Sequence, residues 1–154
     1  MQPPVNSVYY EAIAGEEGYR AHIYTDEFGN QTAGIGINLT AGMTYDEAFG
    51  AMQGRVNALY NSLNYTYDFF KSLSPARQYV LLNMGFNMGL AGLMEFHEMF
   101  AALQKKDYET AAAQIEASIM ARQLPERAAR LAYTMRNNVL PPHQPYIHAP
   151  ASAL

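Results

Sequence analysis

The fold of this chain is decided by residues 17–36, which read EGYRAHIYTDEFGNQTAGIG. A helical pattern leads into this stretch, because Tyr9, Ile13 and Glu17 fall at i, i+4 and i+8 and therefore share one helix face. A glycine directly after Glu17 suits the left-handed residue that ends many helices. The pattern predicts a short helix over 7–17.

The stretch itself changes from helical to strand periodicity. Ile23 and Tyr24 favour a strand, and residues 26–30 are turn formers with Asp, Gly and Asn at fixed offsets. Apolar and small residues then alternate over 32–37. We therefore predict a hairpin or small antiparallel sheet, which must pack against a helix because two or three strands alone are marginal.

The remainder of the chain has helical patterning to about residue 137. Thr44 and Glu47 form a capping box, and Ser74 followed by Pro75 predicts another helix start. The predicted helices cover about 44–63, 75–88, 95–103, 107–120 and 125–135, with breaks at Gly89 and Gly92.

These elements predict an α+β, mainly helical protein. A small antiparallel sheet lobe would cover about 18–42, and a larger all-helical lobe would cover about 43–138 together with the N-terminal helix 7–17. Residues 1–138 would form a single domain. The Pro-rich segment 139–154 is expected to be a C-terminal tail.

Composition and charge exclude several classes of function. The chain has 154 residues and no cysteine, so neither a disulfide framework nor a thiolate metal site is possible. Its net charge of −4 argues against binding to nucleic acid. The four histidines show no metal-ligand spacing, so we expect no metal and no cofactor. No signal peptide and no membrane-spanning run are evident, so we expect no membrane insertion.

Glu17 and Asp26 are candidates for acid–base chemistry. Glu17 would end a helix, where the negative end of the dipole favours the protonated carboxyl that a glycosidase needs for proton donation. Asp26 at an exposed turn should stay ionised. A hydroxyl at Thr32 on the returning strand can hold a water beside Asp26. Paired carboxyls of this kind are typical of glycoside hydrolysis.

Both carboxyls also have ordinary structural interpretations. A glutamate before a terminal glycine is usually solvated, and an aspartate in a turn usually bonds its own backbone. The spacing of residues alone leaves these alternatives open.

The order of motifs resembles phage lysozymes of glycoside hydrolase family 24, the T-even phage type. The matching motifs are Glu-Gly-x-Arg at 17–20, Tyr-x-Asp at 24–26 and Thr-x-Gly-x-Gly at 32–36. Similar runs continue downstream at 77–89, 107–112 and 122–130. The chain departs from the family pattern at Ile37, where the family often has histidine.

The resemblance implies a lysozyme-like fold and a set of site residues. Glu17, Asp26 and Thr32 match the family's catalytic triad. Phe86 and Asn87 match positions that line the saccharide sites. The resemblance also implies that Arg127 belongs to the substrate-binding residues and approaches Glu17, and that Arg130 pairs with Glu16.

The resemblance further implies hydrolysis of the β-1,4 bond between N-acetylmuramic acid and N-acetylglucosamine in peptidoglycan, with inversion as family precedent. The expected role is phage-mediated lysis by a monomeric endolysin. It would be synthesised in the host cytoplasm and reach the wall from the periplasm through a separate membrane-permeabilising protein. A tail-associated lysozyme, a lytic transglycosylase and a non-catalytic peptidoglycan-binding module remain alternatives, and the intact triad favours the hydrolase.

Overall fold

The computed structural model describes residues 7–141 and has the expected α+β, mainly helical architecture. A three-stranded antiparallel sheet in the order β1-β2-β3 follows the first helix, and the rest of the described chain is helical. The elements are α1 (Ser7–Glu17), β1 (Arg20–Thr25), β2 (Gln31–Gly34), β3 (Ile37–Asn38), α2 (Tyr45–Thr66), a 3₁₀ turn (Phe70–Ser72), α3 (Pro75–Met94), α4 (His97–Gln104), α5 (Tyr108–Glu116), α6 (Ile119–Gln123) and α7 (Pro125–Asn137).

Residue contacts divide the chain into two units, with the boundary after Met52 inside α2. The first unit contains α1 and the sheet, and the second contains α3 to α7. The prediction of a single domain over 1–138 is not tested by this division and stays a prediction. The predicted tail lies outside the described residues from position 142 onward.

The sheet of the first unit is built from two successive hairpins. Tyr24 of β1 faces Thr32 of β2, and Thr32 faces Asn38 of β3. The β1–β2 pairing is irregular near its open end, where four steps along β1 oppose two along β2 between the Arg20–Gly34 and Tyr24–Thr32 pairs. The predicted hairpin is therefore confirmed, and Thr32 holds the central strand position.

The helices of the second unit begin where the sequence has capping residues. The Ser74 hydroxyl accepts the backbone N–H of Arg77 at 3.3 Å, with Pro75 as the first helical residue. The predicted capping box at the start of α2 is also present, because the Thr44 N–H donates to the Glu47 carboxylate at 2.7 Å. Such caps satisfy N–H groups that the first helical turn leaves unpaired.

The core of the second unit lies around α5, which packs on α4 and α7, while α7 also contacts α3 and α6. Its largest fully buried side chains are Phe70, Leu63, Leu81, Met84, Leu93, Met99, Leu103, Ile115, Met135 and Val80. Arg136 of α7 joins α5 from the outside by hydrogen bonds to Glu109 at 2.8 Å and Glu116 at 3.1 Å. No helix within residues 7–141 is long and apolar enough to cross a lipid bilayer.

Several predicted helix boundaries differ from the observed ones. The helix predicted over 107–120 is two helices, because Ser118 interrupts it and caps α6 by accepting the N–H of Ala121 at 3.2 Å. Gly89 leaves helical geometry as predicted, with φ 82° and ψ 161°. Gly92 does not interrupt the helix, and α3 continues to Met94. The next helix begins at His97, two residues after the predicted start at residue 95.

Candidate active site

Glu17 is the last residue of α1, as the sequence predicts. The helix ends because Gly18 takes a left-handed conformation with φ 67°, while its N–H still donates to the carbonyl of Ala14 at 2.9 Å. The side chain of Glu17 is exposed to solvent. It is therefore available to a polymeric substrate.

The carboxyl of Glu17 lies against the backbone of Gly36. A methyl group built on Gly36 would come within 2.2 Å of Glu17 Oε2 and 2.9 Å of Glu17 Cγ. Only a residue without a side chain leaves room for the carboxyl there, and the φ of 67° at Gly36 also favours glycine. The turn between β2 and β3 thus sets one wall of the space that Glu17 occupies.

Asp26 organises the turn between β1 and β2. Its Oδ1 accepts the backbone N–H groups of Phe28 at 2.9 Å and Asn30 at 2.8 Å. Its carbonyl accepts the N–H of Gly29, which has φ 85°. These bonds are those of an Asx turn followed by a left-handed residue, so the structural interpretation of this aspartate is correct.

The same bonds leave Asp26 with a second oxygen for chemistry. Oδ2 accepts the side-chain N–H of Asn30 at 3.2 Å and lies 3.5 Å from the Thr32 hydroxyl. The backbone N–H of Asn30, more than any other group, lowers the pKa of the Asp26 carboxyl below its usual value. This direction agrees with the expectation that Asp26 stays ionised near neutral pH.

Thr32 is a buried polar residue of the first unit, with 3% of its surface exposed. Its hydroxyl lies 3.4 Å from the carbonyl of Asn30 as well as 3.5 Å from Asp26 Oδ2. Both distances are longer than an ordinary O–H···O bond, so the hydroxyl retains capacity for a further partner. One water can bond to the hydroxyl and to Oδ2 together.

One cavity of about 460 Å³ in the first unit brings the three predicted catalytic residues together. This volume lies in the range of about 300–1,000 Å³ that ligand sites occupy. At one wall the guanidinium of Arg20 lies over the ring of Tyr24, 4.1 Å from its centre. The full lining is Glu17, Arg20, Tyr24, Thr25, Asp26, Glu27, Phe28, Thr32 and Gly36.

Phe28, Tyr24 and Gly36 line this cavity, but sequence reasoning gave none of them a catalytic or substrate-binding role. The sequence alone could have indicated Phe28, because phenylalanine is not one of the residue types that turns favour. The contact of Gly36 with Glu17 joins the β2–β3 turn to the end of α1, nineteen positions earlier, so no local pattern predicts it.

The residues predicted to bind substrate belong to the second unit. Phe86 has 47% of its surface exposed, Asn87 is exposed and Arg127 is half-buried. Asn87 lines a separate cavity of about 540 Å³ whose wall includes Phe96. Their roles toward Glu17 stay predictions. The pairing of Arg130 with Glu16 also stays a prediction, and Arg130 lies 4.0 Å from Glu126 in its own helix.

The first-unit cavity has the groups that acid–base chemistry requires. It combines an exposed carboxyl at a helix end, a carboxylate kept ionised by backbone donors, and a hydroxyl beside that carboxylate. Among the residues that the structure describes, no three His, Asp or Glu side chains converge as a metal site.

Known proteins match the chain across this region. A model of the family described as Phage lysozyme matches residues 14–127, about three quarters of the chain. A curated relative from Dictyostelium discoideum, described as "Probable T4-type lysozyme 2", is 23% identical over 147 residues. The match covers 75% of this chain and 86% of the relative. The family match includes Glu17, Asp26 and Thr32.

Proposed function

Because this chain belongs to the phage lysozyme family and is a lysozyme-type cell-wall hydrolase, we propose that it cleaves the β-1,4 bond between N-acetylmuramic acid and N-acetylglucosamine in peptidoglycan. The observation that carries the proposal is the single cavity lined by Glu17, Asp26 and Thr32. Glycoside hydrolysis is a reaction that gives a role to both carboxyls and to the hydroxyl.

In the proposed mechanism Glu17 is the general acid. Its carboxyl donates a proton to the glycosidic oxygen as the bond to the anomeric carbon breaks, so the leaving sugar departs as an alcohol. Its exposure at the end of α1 supports this role, because the donor must reach an oxygen in the middle of a polymer.

Asp26 and Thr32 position the water in this mechanism. The water donates one hydrogen bond to Asp26 Oδ2, and the Thr32 hydroxyl, 3.5 Å from that oxygen, fixes its orientation. As the water attacks the anomeric carbon, Asp26 accepts its proton, which completes the addition of water across the bond. Such a path inverts the anomeric centre and requires carboxyls about 6.5–9.5 Å apart.

The proposed sugar contacts include Phe86, Asn87 and Arg127. An aromatic ring, an amide and a guanidinium are the groups that sugar rings, N-acetyl groups and carboxylates bind. The exposure of Phe86 and Asn87 supports this assignment.

We further propose that the biological role is host-cell lysis by a monomeric endolysin. It is synthesised in the host cytoplasm and reaches peptidoglycan in the periplasm through a membrane lesion that a separate protein makes. The test compares cells that express the chain alone with cells that also express a permeabilising protein. Lysis that needs the second protein supports this role, and lysis by the chain alone contradicts it.

The chemistry is tested by clearing of purified peptidoglycan with the wild type and with Glu17→Gln. Removing the proton donor should lower the clearing rate by at least about 10²-fold, the usual contribution of a general acid. Equal thermal unfolding of the two proteins is the control for folding. New reducing ends among the products support hydrolysis, whereas anhydro ends identify a transglycosylase. Equal clearing by both proteins would refute the role of Glu17.

A further inference from the structure

Phe28 is a cavity residue to which the proposed mechanism gives no role. Its side chain is 81% exposed, yet it lines the cavity that contains Glu17 and Asp26. Single exposed apolar residues are common on protein surfaces, but hairpin turns favour Gly, Asn, Asp, Pro and Ser. Because the ring buries little surface in the fold, it contributes little to folding stability at this position.

The backbone at Phe28 is fixed relative to the reacting groups. Its N–H donates to Asp26 Oδ1 at 2.9 Å, and the following N–H, of Gly29, donates to the Asp26 carbonyl at 3.1 Å. Two hydrogen bonds to one residue restrain the turn. The ring therefore extends from a backbone that is held beside the Asp26 carboxylate.

The other aromatic side chain of this cavity already has a partner. The guanidinium of Arg20 covers the Tyr24 ring at 4.1 Å. Among residues 7–141, no ring and no cation is stacked on Phe28. The Phe28 ring is thus the aromatic surface of the cavity that remains open to a ligand.

We propose that Phe28 is a substrate-positioning residue that stacks on a pyranose ring of the glycan strand next to the cleaved bond. The faces of a β-linked amino sugar present C–H groups, which pack on the negative face of an aromatic ring. The uncharged phenyl ring also adds no further charge to a cavity that already contains acidic side chains. This assignment rests on the proposed glycan hydrolysis and adds a specificity-determining contact to it.

The kinetic test uses soluble glycan oligomers, prepared from peptidoglycan without stem peptides. Phe28→Ala should raise KM by roughly tenfold and change kcat by less than about twofold, because a contact made equally in ground and transition states affects binding alone. Phe28→Tyr should restore KM. Phe28→Leu, which keeps apolar volume without a ring, should remain close to Phe28→Ala.

The matched variants separate stacking from other roles. A KM unchanged in Phe28→Ala, or fully restored by Phe28→Leu, would overturn the proposal. The thermal unfolding of all three variants should equal that of the wild type, since the side chain is exposed. A shared loss of stability would indicate a structural role instead.

A binding test in the Glu17→Gln background does not depend on catalysis, and the absence of tryptophan from the chain makes an introduced one a specific reporter. Phe28→Trp combined with Glu17→Gln places the one tryptophan at the cavity, and saturable glycan-induced quenching or a blue shift of its selectively excited emission is expected. Tyr65→Trp in the same background is the control, because Tyr65 is 91% exposed and is not among the residues that line this cavity. An unchanged spectrum at position 28, or the same change at both positions, would overturn the proposal.

The two tests also distinguish failure of the proposal from failure of the proposed function. If wild type does not cleave the oligomers, glycan hydrolysis fails, while a saturable change confined to position 28 still supports stacking. If wild type cleaves them and Phe28→Ala keeps the same KM, the Phe28 assignment alone fails.

Discussion

The contact between Gly36 and Glu17 predicts an unusual separation of stability from activity in Gly36→Ala. The added methyl would begin 2.2 Å from Glu17 Oε2, whereas ordinary contacts between such atoms start at about 3.5 Å. The Glu17 carboxyl must therefore move by more than about 1 Å. Because it is the end of a flexible exposed side chain, this movement has little effect on folding.

The two effects of Gly36→Ala have different magnitudes. A non-glycine residue at φ 67° costs about 1–2 kcal/mol of folding free energy. Misplacing a catalytic group by about 1 Å can lower the rate by about 10²-fold, which corresponds to roughly 2.7 kcal/mol of activation free energy. We therefore expect modest destabilisation and a large loss of clearing activity.

Gly34→Ala is the matched control for this prediction. Gly34 has φ 66° and no atom within 4 Å of an added methyl, so it shares the backbone strain without the contact to Glu17. Urea unfolding should show similar losses for the two variants, while peptidoglycan clearing should fall by about 10²-fold only in Gly36→Ala. Equal activity losses in both variants, or full activity in Gly36→Ala, would refute the reasoning.

Two further predictions concern stability. Arg136→Met should lower the free energy of unfolding measurably, because it removes paired hydrogen bonds to two partly exposed glutamates of α5, whereas the exposed Arg55→Met should leave it nearly unchanged. Urea melts of both variants test this, and equal losses would contradict it. Because the pKa of Asp26 is lowered by folding, its ionised carboxylate contributes to the free energy of unfolding above about pH 4. This contribution to stability is lost as the pH falls through the folded-state pKa. The stability gap between wild type and Asp26→Asn, measured by thermal unfolding from pH 2.5 to 7, should therefore narrow in acid, and a constant gap would contradict the assignment.

Local chemistry explains which elements the sequence predicted. Asp26 and Gly29 define the β1–β2 turn through bonds that span three or four residues, and Thr44 and Ser74 cap helices over a similar span. Such turns and caps depend on residues that are close in sequence, so they can be predicted without knowledge of the tertiary structure. The confirmed hairpin places Asp26 and Thr32 together through strand pairing alone.

The errors occur where longer-range packing or a competing local signal decides. Gly92 was expected to break α3, but the helix continues to Met94, and Met88 one turn earlier packs where a side chain at Gly92 would begin, with its Cγ 3.2 Å from a methyl built there. At Ser118 a capping serine outweighed the helical periodicity around it. The Gly36 contact with Glu17 depends on the end of α1 meeting the β2–β3 turn in space, which the periodicity of the sequence does not indicate.

The backbone N–H groups of Phe28 and Asn30 both donate to Asp26 Oδ1. They therefore also report whether the carboxylate is held in the turn. Each amide exchanges with solvent when its bond to Oδ1 opens, so their exchange rates measure how often the hairpin tip releases the aspartate. If Oδ2 of Asp26 holds the attacking water, as we propose, a tip that opens more often leaves this oxygen out of position for a larger fraction of time. Local opening of the five residues 26–30 would then set an upper limit on the fraction of molecules that can react at any moment.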